Sequence, residues 1–72
     1  MTVTNFKTNL IALRSTAKLT QSELARRLNA SRQMIWKWEN GVSRPNADQL
    51  VPIADALGCT VDELVRPAQE AV

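Results

Sequence analysis

TQSELARRLNASRQMIWKWEN, Thr20 to Asn40, packs two helix starts and one reversal into 21 residues. Thr20-Gln21-Ser22-Glu23 has the Thr-x-x-Glu spacing of a capping box: the hydroxyl accepts from the Glu23 amide while the Glu23 carboxylate reaches back to the Thr20 amide. Leu19 before this cap and Leu24 after it complete a hydrophobic staple. The helix so begun runs through Leu28. Asparagine enters left-handed backbone more readily than other non-glycine residues, so Asn29-Ala30-Ser31 reads as a tight reversal with a fresh N-cap at Ser31. A third helix then covers Arg32 to about Asn40, ended by Gly41.

Outward from this stretch the helical spacing continues. Phe6, Leu10, Leu13 and Ala17 form one apolar stripe of a first helix starting near Thr4. After the loop Gly41-Val42-Ser43-Arg44-Pro45, Asn46 and Gln49 resemble a cap for a fourth helix with the stripe Leu50, Ile53, Ala54 and Leu57, stopped by Gly58. Pro52 lacks the amide a helix interior needs, which predicts a 3₁₀-like first turn around Ala47 to Gln49 and regular helix only afterwards. Thr60-Val61-Asp62-Glu63 repeats the capping box, with Cys59 and Leu64 as its staple, and a short fifth helix ends before Pro67. No segment alternates like a strand. The expected fold is all-α, a compact five-helix domain over residues 1–66 with a frayed tail at 67–72.

A chain of 72 residues has room for one domain. Its 44% hydrophobic and 22% charged residues are those of an ordinary globular protein. A lone Cys59 and no histidine exclude an internal disulfide, a metal cluster and a His-based proton relay. Asp48, Asp55, Asp62, Glu63 and Glu70 fall mostly on predicted exposed faces, and no nucleophile has a base beside it, so neither an enzyme nor a cofactor is expected. Neither a membrane span nor a signal peptide is evident, nor any small-molecule site, and a reducing cytoplasm is the expected setting.

Charge is unevenly spread. Residues 1–44 carry eight cations (Lys7, Arg14, Lys18, Arg26, Arg27, Arg32, Lys37 and Arg44) against Glu23 and Glu39, a net of +6, whereas residues 45–72 net −4. A polyanion-binding face with an acidic back has this layout.

The third helix sharpens that reading. Ala25 presents only a methyl group, which lets the third helix cross closely, and Ile35 and Trp38, three residues apart, pin it inward. With Ile35 at the centre of the wheel, Ser31 and Trp38 lie inward, whereas Gln33, Trp36, Lys37 and Asn40 share an outward sector with Arg32 at its leading edge. Arginine or lysine donates to guanine, glutamine bonds adenine in bidentate fashion, and an apolar ring presses on a thymine methyl, so this face suits a DNA major groove. A solvated helix also carries such polar residues, and Trp36 equally suits a neighbouring loop or a partner. Met34, at the flank, is expected against the second helix.

Leu19-Thr20-Gln21-Ser22-Glu23-Leu24-Ala25, Ser31, Ile35-Trp36-Lys37-Trp38-Glu39-Asn40-Gly41, Pro45, Leu50, Ile53-Ala54-Asp55-Ala56-Leu57-Gly58 and Val61-Asp62-Glu63-Leu64 together resemble the Cro and phage-repressor (Xre-type) family of helix-turn-helix proteins, over nearly the whole chain. The resemblance implies a lambda-repressor-like DNA-binding domain. It implies base contacts from Arg32, Gln33, Trp36 and Lys37, and phosphate contacts from Gln21, Ser31, Asn40, Ser43 and Arg44, with Gln21 also bracing the reading helix. It further implies an inward salt bridge between Arg14 and Glu39, and a homodimer contact through Pro45, Asn46, Cys59, Thr60 and Val61. The chain departs from the family pattern at Asn29, where glycine is usual, at Trp36, more often small or polar, and at Pro52.

These features predict a transcriptional regulator, a repressor that binds a pseudo-palindromic operator in double-stranded DNA as a homodimer, one third helix in each major groove. The alternative is a protein-interaction module docking through Trp36, or an antitoxin-type accessory subunit.

Overall fold

The computed structural model describes residues 5–66, which form five α-helices and no strand: α1 (Phe6–Thr16), α2 (Gln21–Arg27), α3 (Arg32–Glu39), α4 (Ala47–Leu57) and α5 (Val61–Val65). The tail assigned to residues 67–72 and the helix start near Thr4 lie outside the described residues. Within them α1 begins at Phe6, with Asn5 as its cap.

Side chains fix the starts of the other helices. Thr20–Glu23, Asn46–Gln49 and Thr60–Glu63 close as reciprocal capping boxes at 2.8 to 3.1 Å, and Ser31 Oγ accepts from the Met34 amide at 3.1 Å. The ends share one device as well. Leu19 N bonds Arg14 O, Ala30 N bonds Ala25 O, Val42 N bonds Lys37 O and Cys59 N bonds Ala54 O, each paired with a shorter-range bond from the residue before. This closure needs a left-handed residue at its corner, and Lys18 (φ 60°), Asn29 (φ 56°), Gly41 (φ 72°) and Gly58 (φ 70°) supply it. Lysine is unexpected there, since its Cβ crowds the following carbonyl.

Pro52 does not loosen the first turn of α4 as its sequence suggested. Regular helix runs from Ala47 to Leu57, and only Gln49 N, bonding Asn46 O at 3.0 Å, keeps a 3₁₀ pattern. The Asn46–Gln49 box already fixes that turn, and the missing amide deprives only the carbonyl of exposed Asp48.

Each helix sends one aliphatic residue to the centre: Leu10, Leu24, Ile35, Ile53 and Leu64 are fully buried. Phe6, Leu19, Ala25, Trp38, Ala54 and Leu57 complete the core. Ala17, expected in the α1 stripe, is exposed as that helix's C-cap. α2 packs on α3, α1 on α3 and α5, and α4 on α2 and α5. Asn9 of α1 donates from Nδ2 to the carbonyls of Leu64 (3.0 Å) and Arg66 (2.7 Å), satisfying acceptors at the free end of α5.

Candidate nucleic-acid interface

α3 divides between fastening and presenting. Ile35, Trp38 and Glu39 are buried, and Arg32, Gln33, Trp36 and Asn40 are exposed, with Lys37 half-buried beside them. The four base-contact candidates, Arg32, Gln33, Trp36 and Lys37, thus stand on one helix whose inward side is committed to the core. Trp36 is 46% exposed and Trp38 3%, so two neighbouring indoles sit in opposite environments. Met34 is 36% exposed, and Ser31 is also exposed, because a capping hydroxyl must stay beside the first free amides.

An inward network holds the helix. Arg14 Nε lies 2.5 Å from Glu39 Oε2 and Arg14 Nη2 3.0 Å from Oε1, a bidentate pair whose side chains are 18% and 4% exposed. Arg14 Nη1 also donates to Leu19 O at 2.8 Å, and Gln21 Nε2 donates to Glu39 Oε1 at 2.9 Å. One carboxylate therefore ties α1, α2 and α3 together. Its desolvation is matched by three charge-assisted or amide donors, so the network fixes orientation more than it adds stability.

The phosphate-contact candidates occupy both ends of α3. Gln21 is half-buried at the start of α2, Ser31 caps α3, and Asn40 donates from Nδ2 to Trp36 O at 2.8 Å. Ser43 Oγ is shielded from solvent without a hydrogen-bond partner, and Arg44 beside it is exposed. Near the turn, Arg26 and Arg32 border a groove with Ser22, Asn29 and Ala30.

The dimer-contact candidates are less unified. Pro45 borders a shallow cleft with Phe6, Arg44, Leu50 and Val65, and Asn46 is spent capping α4. Cys59 and Val61 pack partly against the core, and Thr60 caps α5. Burial, helped by the nearby Glu63 charge, pushes the Cys59 thiol above its ordinary pKa. Hydrogen bonds from the Thr20 backbone and side chain hold the Glu23 carboxyl below its ordinary value, with Arg26 and Arg27 assisting.

Among the described residues, no helix is long and apolar enough to cross a membrane. Asp48, Asp55, Asp62 and Glu63 are all exposed. The placements of Lys7 and Asn9 and the left-handed angle of Lys18 escaped the sequence reading, because residue type does not signal tertiary placement or backbone angle.

The profile of a family described as "Helix-turn-helix" matches residues 10–64. An HTH-type transcriptional activator, BcrR of Enterococcus faecalis, is 42% identical over 60 residues, covering 83% of this chain but only 29% of that protein. The P22 c2 repressor in complex with a synthetic operator superposes with a TM-score of 0.77 at 28% identity, over 83% of this chain and 91% of that one. The hydroxypropylphosphonic acid epoxidase of S. wedmorenis gives a TM-score of 0.82 at 30% identity, over 94% of this chain and 36% of the enzyme.

Proposed function

The chain belongs to the helix-turn-helix family of the Xre/Cro type, and on that premise we propose that it is a transcription regulator binding double-stranded DNA sequence-specifically through α3. One observation carries this reading. α3 is held by Ile35, Trp38 and Glu39 while Arg32, Gln33, Trp36 and Lys37 occupy its other side, which is the division of labour that major-groove reading requires. In this reading Arg32, Gln33 and Lys37 select bases and Trp36 contributes an apolar surface. Gln21, Ser31, Asn40, Ser43 and Arg44 grip phosphates and set the register.

We read it as a repressor acting in the cytoplasm. The P22 c2 repressor, whose structure on a synthetic operator this fold resembles, supports that reading. Two copies, paired through the segments around Pro45–Asn46 and Cys59–Val61, would each lay α3 into successive major grooves of a pseudo-palindromic operator. The domain acts by binding and not by catalysis. The likeness to the epoxidase extends to only 36% of that enzyme.

Selection of bound sequences from a random duplex pool, followed by titration of selected and random duplexes at several salt concentrations, tests the reading. Expected are salt-dependent binding to both and a preference of about 10³ or more for the selected site. Absence of salt-dependent binding to any duplex would overturn it.

A further inference from the structure

We propose that the cleft between the start of α1 and the α3–α4 turn is a further phosphate clamp, in which Lys7 and Arg44 hold one DNA backbone phosphate beside the reading helix. The proposal rests on the DNA-binding reading above and adds α1 to the interface.

The cleft encloses about 300 Å³, and its walls include Asn5, Lys7, Trp38, Gly41, Ser43 and Arg44. Two cations line it and no carboxylate does. Lys7 lies along the turn: a β-carbon built on Gly41 would come within 3.4 Å of Lys7 Cδ and 3.8 Å of Nζ. The side chain thus crosses a gap of 34 residues in sequence to sit over the end of α3. Ser43 Oγ, in the same wall, is shielded and unpartnered, a costly state for a hydroxyl unless a ligand uses it.

Local backbone favours an anion as well. Asn5 makes no side-chain cap bond, so it supplies no acceptor for the first amides of α1, and the first turn holds no acidic residue. The opposing negative end of α3 is muted, because Val42 N and Ser43 N both bond Lys37 O and Gly41 N bonds Trp38 O. Trp38 sits in the wall, so the clamp is anchored to the helix that reads bases. A phosphate seated here would set how far the carboxyl end of α3 approaches the groove.

A scan of the selected duplex with single neutral methylphosphonates, titrated with the wild type, Lys7→Gln and Arg44→Ala, tests this. One phosphate in each half-site should show non-additivity: neutralising it and replacing Lys7 together should cost no more than either alone. Lys7→Gln should also lower the slope of log affinity against log salt by about 1 for selected and random duplexes alike. Urea unfolding of Lys7→Gln should be unchanged.

If Lys7→Gln adds fully to every methylphosphonate and leaves the slope intact while Arg44→Ala still lowers it, the clamp is wrong and the DNA-binding reading survives. If inorganic phosphate, at matched ionic strength, binds the DNA-free protein in a Lys7-dependent, saturable way while the scan stays additive, the cleft is a free-anion site and the proposal fails in that form.

Discussion

Gln21 opens α2 and Glu39 closes α3, and the 2.9 Å hydrogen bond between them joins the two ends of the helix-turn-helix directly. Arg14 grips the same carboxylate from the other side. Glu39→Ala leaves the guanidinium of Arg14, 82% covered at its side chain by the fold, without its counter-charge. The variant should lose about 3 kcal/mol in urea unfolding. Gln21→Ala removes one hydrogen bond and should cost about 1 kcal/mol, yet weaken DNA binding by more than that loss of stability accounts for.

Gln33 and Arg44 should fail differently. Gln33→Ala should cost about 1–3 kcal/mol on the selected duplex and little on random DNA, narrowing the preference between them. Arg44→Ala should weaken both similarly and flatten the salt dependence. Parallel titrations separate base reading from phosphate gripping, and an unchanged Gln33→Ala would remove that residue from the reading set while leaving the fold intact.

The indoles provide a spectroscopic test. Trp36 is solvent-accessible and Trp38 is not, so the red-shifted, quencher-accessible emission belongs to Trp36. Added operator should protect that component from acrylamide, and Trp36→Phe should abolish the change. Emission indifferent to DNA but responsive to a protein would favour an interaction module over a DNA reader.

Lys18 holds a left-handed conformation that costs an ordinary side chain roughly 1–2 kcal/mol. Glycine removes that cost but loses more chain entropy on folding, so Lys18→Gly should raise stability by a net of about 0.5–1 kcal/mol. Gly58→Ala should lower it even though its β-carbon would meet nothing within 4 Å, since the conformation alone is unfavourable. Denaturant midpoints measured on both variants decide the matter.

Acid should weaken the start of α2. Hydrogen bonds lower the Glu23 pKa in the folded state, so the capping box is intact above the ordinary value of 4.5 and is lost as pH falls through the lower folded value. Thermal unfolding should therefore show a smaller acid-induced loss for Glu23→Gln than for the wild type, with the two stabilities converging below pH 4.5.

The helices were legible because their punctuation is local: a Thr-x-x-Glu box needs four residues in sequence, and Gly41 or Asn29 marks a left-handed corner by its own chemistry. Ile35 and Trp38 were legible as inward anchors through spacing alone. Lys18 was not, because lysine carries no left-handed signal and the angle is imposed by Leu19 turning back to bond Arg14. Pro52 misled for the converse reason: the side-chain box at Asn46 fixes the turn before the missing amide matters. The exposed face of α3 followed from the wheel, whereas Lys7 crosses from α1 to Gly41, and the Asn9 bonds to α5 carbonyls join distant segments that no periodicity connects.

The five central aliphatic residues, one from each helix, leave the domain without a dispensable part. Leu64 is the last of the five in sequence, so the pocket lined by the other four stays open until α5 docks against α1 and α4. A chain in which α5 has not docked leaves the apolar side chains it covers open to solvent and to proteases.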